Sequence, residues 1–357
     1  MIQTDLLAPG HSDLVTHIAY DYYGESLATC SADQRIKVFR KDQESKWRPE
    51  ADWKAHDAPI LHLSFSHPTH GSLLASSSID RTVRIWEAPS SSRKPASTPV
   101  RWIERGVLTG PKGAVRSVEW APADPGYGVR VGFIATDGYL RVCTSLDPSL
   151  SDWSEIHSIH IPSYFPLTPE ADNVLPFNDP AGSGEQALGG WALSWCKERW
   201  WGSLVAACAG TSPITKIISL EPSPKCILTL VPLSSPSPAP LTCLSWAPSC
   251  GRSYHLVATG SRDGTVSIWR IQPPGETARS DFGSSGEVTR EWKAECVGEF
   301  GQGGAKVCTV DWNATGTILS TTDDEGIVRI YKPTYARTWK LLGKLTAEEP
   351  GENVDGQ

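Results

Sequence analysis

Several signals that would narrow the function of this 357-residue chain are missing. No apolar run approaches the ~20 residues that a membrane-crossing helix needs, so membrane insertion is not expected. Lys and Arg never gather in a block, and the formal net charge is −7. A chain without a basic stripe has no electrostatic hold on a phosphate backbone, so direct nucleic-acid binding is not expected either. The cysteines (Cys30, Cys143, Cys196, Cys208, Cys226, Cys243, Cys250, Cys296 and Cys308) include no C-x-x-C pair. That scatter points to reduced, buried thiols in a cytosolic or nuclear protein, not to zinc ligands. The opening MIQTDLLAPG has the order of neither a signal nor a transit peptide, so the Asn313 sequon is expected to stay unmodified. No acid–base pair, metal cluster or phosphate loop stands out, and GQGG at 301–304 joins two strands with no following helix. An enzyme is not expected, nor a cofactor.

What is present is repetition. Six phrases rhyme: HIAYDYYG at 17–24, LHLSFSHP at 61–68, SVEWAPAD at 117–124, ALSWCKER at 192–199, CLSWAPSC at 243–250 and TVDWNATG at 309–316. Each is an alternating strand that ends in one aromatic: Tyr20, Phe65, Trp120, Trp195, Trp246 and Trp312. A second strand, usually an Asp turn, and a third strand follow. Multi-strand units at this spacing mark a WD-type β-propeller, and six rhymes predict six blades. Methionine occurs once against fifteen tryptophans. The Trp recur at fixed repeat positions, so they read as packing between blades and not as a ligand cage.

Blade 2 is the most regular. His56, Ser78, Asp80 and Trp86 occupy the positions that a WD repeat links by side-chain hydrogen bonds. Such a structural tetrad ties the turns together and needs every member paired. A hydrolase triad made of His56, Asp80 and Ser78 is the sharper reading, but the repeat already explains the spacing. Blade 1 offers His11, Ser31 and Asp33, with Phe39 replacing Trp. Blade 3 keeps Asp137–Gly138, blade 5 Ser261 and Asp263 with Trp269, and blade 6 Glu325–Gly326 with Tyr331. Blade 4 is degenerate and has no Asp turn.

Fourth, outer strands fit at 47–53, 101–108, 152–159, 225–232, 291–298 and 338–345. The expectation is one propeller domain over 1–346, with blades near 11–53, 54–108, 112–159, 190–232, 241–298 and 305–345. Segments 88–99, 161–190, 234–240 and 273–286 have the Ser/Pro/Gly composition of loops, 161–190 reading as a disordered insertion. Residues 347–357 form an acidic tail. Blade 6 finds its own outer strand, and the start of the chain offers only one short candidate at 2–7. Either six blades shut on themselves, or a wedge stays open between blades 1 and 6 that demands a partner.

Several stretches resemble WD-repeat nucleoporins of the Seh type, relatives of the vesicle-coat protein Sec-thirteen. They are GHSDLVTHIAYDYYGESLATCSADQRIKVF (10–39), WKAHDAPI (53–60), LLASSSIDRTVRIWE (73–87), SWAPSCGRSYHLVATGSRDG (245–264), WNATGTILSTTDDEG (312–326) and YKPTYARTWK (331–340). The resemblance implies an open six-bladed propeller completed by a seventh blade donated in trans. It implies as donor an α-solenoid nucleoporin of the Nup-eighty-five type within the Y-shaped nuclear pore scaffold. It implies a place at the nuclear envelope, with a second role in the SEA/GATOR complex of TOR signalling at the vacuole or lysosome surface. With an open wedge, Leu14, Val15, Thr16, Ile18 and Tyr20 of blade 1, and Val310, Trp312 and Ile330 of blade 6, become the candidate partner-binding residues. Simple alternation places Val15 and Ile18 on opposite faces of their strand. The competing expectation is a stand-alone adaptor that reads a peptide on its central face.

Overall fold

The computed structural model describes residues 7–89, 101–123, 128–164, 189–198, 201–232, 239–274, 292–301, 303–335 and 338–346. The insertions expected within 90–99, 165–188, 234–238 and 275–286, most of the strand expected at 2–7, and the tail at 347–357 lie outside them. The described residues form an all-β, six-bladed propeller fold of WD-repeat type, each blade being a four-stranded sheet. Blade 1 holds β1 (Val15–Tyr20), β2 (Ser26–Ser31), β3 (Arg35–Lys41) and β4 (Trp47–Lys54). Blade 2 holds β5 (Ile60–Phe65), β6 (Leu73–Ser78), β7 (Val83–Glu87) and β8 (Ile103–Leu108). Blade 3 holds β9 (Val115–Trp120), β10 (Val129–Ala135), β11 (Tyr139–Ser145) and β12 (Ser154–His160). Blade 4 holds β13 (Gly190–Trp195), β14 (Leu204–Gly210), β15 (Thr215–Ser219) and β16 (Lys225–Leu230). Blade 5 holds β17 (Leu241–Trp246), β18 (His255–Ser261), β19 (Thr265–Gln272) and β20 (Lys293–Gly301). Blade 6 holds β21 (Val307–Trp312), β22 (Leu319–Asp323), β23 (Ile327–Pro333) and β24 (Trp339–Thr346). Each sheet uses four consecutive strands, and among the described residues none mixes strands from the two ends of the chain.

The chain divides into two compact units. The first is Met1–Tyr164 with Trp191–Trp195 and Leu220–Pro224; the second is Phe165–Gly190, Cys196–Ser219 and Lys225–Gln357. Both are built on the same logic. The middle strands of a blade are apolar on both faces, so a sheet is stable only when a neighbour covers it. In the first unit Ile36 and Val38 of blade 1 meet Leu63, Leu74 and Trp86 of blade 2. Val83 and Ile85 of blade 2 meet Val118, Trp120 and Phe133 of blade 3. In the second unit Val266 and Ile268 of blade 5 meet Val310, Leu319 and Tyr331 of blade 6. Burying one such side chain contributes roughly 1.5–3 kcal/mol, so the junctions between blades, rather than any single sheet, hold each unit together.

In the second unit His255 is fully buried, its ring centroid 5.4 Å from those of Trp201 and Trp246. Burial pushes its pKa down to about 4. An unfolded His titrates near 6.5. The contribution of His255 to stability is therefore present above about pH 6.5 and lost as the pH falls through about 4. His17 and His62, with tilted rings whose centroids are 3.7 Å apart, are depressed by burial in the same sense. The melting temperature is expected to fall between pH 6.5 and 4, and His255→Phe is expected to remove part of that slope. An unchanged slope in the variant refutes the assignment.

Candidate functional site

The blade 2 tetrad forms, with one member corrected. His56 Nδ1 donates to Asp80 Oδ2 at 2.8 Å, which leaves Nε2 as an acceptor. The hydroxyl that meets Nε2, at 2.7 Å, belongs to Ser76 and not to Ser78. Ser76 Oγ in turn accepts the Trp86 indole N–H at 2.9 Å. Ser78 instead ties the turn, donating to the carbonyls of Ala58 and Pro59 and accepting from the Asp80 amide. The same two-residue offset recurs. In blade 1 His11 Nε2 meets Thr29 Oγ1 at 2.9 Å, while Ser31 bonds the Asp13 carbonyl. In blade 5 the Trp269 indole donates to Thr259 and not to Ser261. Residues two apart share a strand face, so either hydroxyl has the right orientation, and the one nearer the middle of the strand is chosen because the Trp and His rings reach inward past the turn. Burial disfavours the Asp80 carboxylate, but hydrogen bonds from His56 and Thr82 outweigh that and hold its pKa far below the ordinary range. His56 and Ser76 are fully buried, so the constellation offers no access to a substrate and works as a brace.

Blades 3 and 6 replace the imidazole with arginine. Arg141 grips Asp137 bidentately at 2.8 and 3.1 Å, a geometry that strengthens an ion pair. In blade 6 the acidic residue is Asp323, not Glu325. It pairs with Arg329 and accepts the Ile327 amide at 2.8 Å. In the turns, Gln34 and Arg81 take left-handed φ of 70° and 69°, where blades 3, 5 and 6 place glycine. Among the described residues no three His, Cys, Asp or Glu side chains gather as a metal site would require.

Two further candidate faces, one in each unit, lie on blade 1 and on blade 6. The last two inward positions of each first strand pack on the preceding blade. Leu63, Val118, Leu193, Leu244 and Val310 hold the first of these positions and are 1, 0, 4, 7 and 3 % exposed. The blade 1 counterpart, Ile18, is 52 % exposed, and Tyr20 beside it is 60 % exposed. Leu14 is exposed as well. A bulge in β1 pairs Val15 with Ser31 and His17 with Cys30. This bulge shifts the parity, so Val15 and Ile18 share a face instead of opposing one another, correcting simple alternation. Thr16 does not face outward: its hydroxyl donates to the Ile60 carbonyl of blade 2 at 2.6 Å.

On blade 6 the candidates divide. Val310 is buried against blade 5, and Trp312 donates its indole N–H to the Ser245 carbonyl at 3.1 Å. Both therefore belong to the blade 5 junction and not to a partner face, as the counterparts of Ile18 and Tyr20 must. Ile330 lies on the other face. Its row, Asp311, Ser320, Ile330 and Gly343, is set by the strand register. The matching middle residues of blade 5, Ala258 and Ile268, are fully buried, whereas Ser320 and Ile330 are half-buried. Sequence reading missed the Asp311–Gly343 row because Val310 and Trp312 are the more apolar pair. The signal available was the parity of Trp312 with the five earlier aromatics.

Comparison with known proteins fits this geometry. The WD domain, G-beta repeat family matches residues 4–40, 47–87, 225–270 and 294–332. The chain is 31 % identical to nucleoporin SEH1 of Saccharomyces cerevisiae, across 95 % of this chain and 98 % of that protein. It is 29 % identical to nucleoporin seh1 of Schizosaccharomyces pombe, across 99 % of both. It is 28 % identical to human nucleoporin SEH1, across 98 % of this chain and 89 % of that one. With likeness of that degree spread over nearly its whole length, the chain belongs to the SEH1 nucleoporin family of WD-repeat proteins.

Proposed function

We propose that this chain is a non-enzymatic scaffold subunit of the nuclear pore, and that a partner completes it by donating a blade. The observation that carries the reading is the exposure of Ile18, at a position that every other blade buries, with Tyr20 exposed beside it. The donated strands would cover this face of blade 1 and the Ile330 face of blade 6. We assign the donor role to an α-solenoid nucleoporin of the Nup-eighty-five type within the Y-complex, at the nuclear envelope. The same faces would serve in the SEA/GATOR complex at the vacuole or lysosome surface. Blade packing plus strand contacts make an obligate-type interface, above about 2,000 Å² in total. Such an area resists salt, because apolar burial is not screened as surface charge is.

The test is hydrogen exchange on the free chain and on the complex isolated with it. Protection is expected in 14–20 and in 311–330. Protection confined to the turns around Asp33, Asp80 and Asp263 refutes blade donation and favours a peptide reader.

A further inference from the structure

Two junctions, one in each unit, share a pattern that blade 6 leaves unfinished on its other face. In both, the incoming blade brings two aromatic rings, one ending its first strand and one opening its outer strand. Blade 3 brings Trp120 and Trp153, with ring centroids 6.2 Å apart. The Trp120 indole donates to the Ser64 carbonyl of blade 2 at 2.9 Å. Trp153 lies over Gly106, where an added Cβ would come within 2.6 Å of the indole nitrogen. Blade 6 brings Trp312 and Trp339, 5.4 Å apart, onto blade 5. Trp312 donates to the Ser245 carbonyl, and Trp339 lies over Gly298, where a Cβ would sit 3.3 Å from that of Trp339.

The receiving row is the same in each case. The register aligns Ser64 with Gly106 across blade 2, and Ser245 with Gly298 across blade 5. Across blade 6 it aligns Asp311 with Gly343. A Cβ built on Gly343 meets nothing within 4 Å. Blade 6 thus carries the carbonyl and the glycine slot of a receiving face, with no ring from the described residues in the slot.

We propose that the partner blade covering blade 6 carries two aromatic side chains 5–6 Å apart, as the internal junctions do, a Trp whose indole N–H donates to the Asp311 carbonyl and a second ring seated over Gly343. This rests on the blade-donation reading above and specifies what the donor must carry. The register makes Asp311 and Ser320 a hydrogen-bonded pair, so the Asp311 carbonyl takes the Ser320 amide in the ladder, and the Ser320 hydroxyl, at 3.2 Å, holds its remaining lone pair and must rotate away for the indole to bind. Among the described residues a like pair, Phe65 and Trp102 of blade 2, lies 6.4 Å apart within the blade 1 junction, while Tyr20 and Trp47 on blade 1, 5.9 Å apart, include the exposed Tyr20. A second copy using that pair would make a head-to-tail contact, which covers every slot only in a ring of copies and otherwise runs on as a filament. A separate donor ends the series, so the occupant is a different chain.

The experiment uses the complex isolated with the full chain, and Gly343→Val. Valine suits a strand and meets open space here, so the variant is expected to melt with wild type. Its side chain fills the slot, and overpacking of this kind should weaken partner binding about 10- to 100-fold. A photo-crosslinker at position 320 then identifies the partner strand. Changing the Trp on that strand to Ala should reproduce the loss, and to Phe, which lacks the N–H, part of it. Unchanged affinity of Gly343→Val, or a crosslinked strand without an aromatic, overturns the two-ring proposal while blade donation stands. A complex with no exchange protection in either blade face overturns blade donation itself. Concentration-dependent oligomers of the free chain that Gly343→Val and Tyr20→Ala both dissolve would make a second copy the occupant, and overturn the proposal.

Discussion

A chain carrying Ile18→Asp with Tyr20→Ala is expected to fold like wild type and to lose its partner. Both side chains are more than half exposed, so their replacement removes little packing from the first unit. Surface changes of this kind usually alter stability by less than about 0.5 kcal/mol. In the complex the same positions would be buried, as Leu63 and Val118 are within the chain. An unpaired carboxylate forced into that setting, with the loss of one large ring, should cost several kcal/mol, roughly a thousandfold or more in affinity. Pull-down at matched expression, beside a thermal melt, measures both halves. A variant that still captures the partner at wild-type level removes blade 1 from the interface. A variant that melts far below wild type shows instead that Ile18 and Tyr20 support the fold itself.

The second large effect is expected from a single buried oxygen. Ser76→Ala removes the atom that both satisfies His56 Nε2 and accepts the Trp86 indole. Two buried polar groups are left unpaired at once, at about 1–3 kcal/mol each. The melting temperature should therefore drop by several degrees, and Trp86 fluorescence should change with it. Asp80→Ala should act in the same direction, since it frees the His56 tautomer. Ser78→Ala loses only turn bonds and should leave the Trp86 signal unaltered. If Ser78→Ala perturbs Trp86 and Ser76→Ala does not, the assignment of the brace is reversed.

These residues mark the boundary of what the sequence made legible. The six aromatics at strand ends are an extensive signal: each needs a neighbouring blade, so their number and spacing reveal the repeat. The identity of the brace hydroxyl is a local matter. Ser76 and Ser78 share a strand face, and parity cannot separate them. What separates them is how far a Trp ring leans along the strand, which follows from packing. A hydroxyl does recur two positions before each turn serine, as Thr29, Ser76 and Thr259, and that pattern was available. The partner face divides in the same way. Ile18 and Tyr20 were legible as the strand that carries the first of the six aromatics. Asp311 and Gly343 were not, because a receiving face is defined by small and polar residues that look unremarkable until the register lines them up. The β1 bulge was likewise invisible, and one extra residue sufficed to bring Val15 round to the face of Ile18.

The use of four consecutive strands in every sheet has a consequence for the timing of assembly. A propeller that borrows a strand from its far end cannot finish any closing sheet until synthesis ends. Here blade 1 has all its strands once residue 54 has left the ribosome, and each later blade can settle on its predecessor as it emerges. On the blade-donation reading, Ile18 and Tyr20 stay displayed from the completion of blade 1 until a donor arrives. On that reading surplus copies would be treated by chaperones and proteases as unfinished, and the abundance of the donor would set how much of this chain is retained.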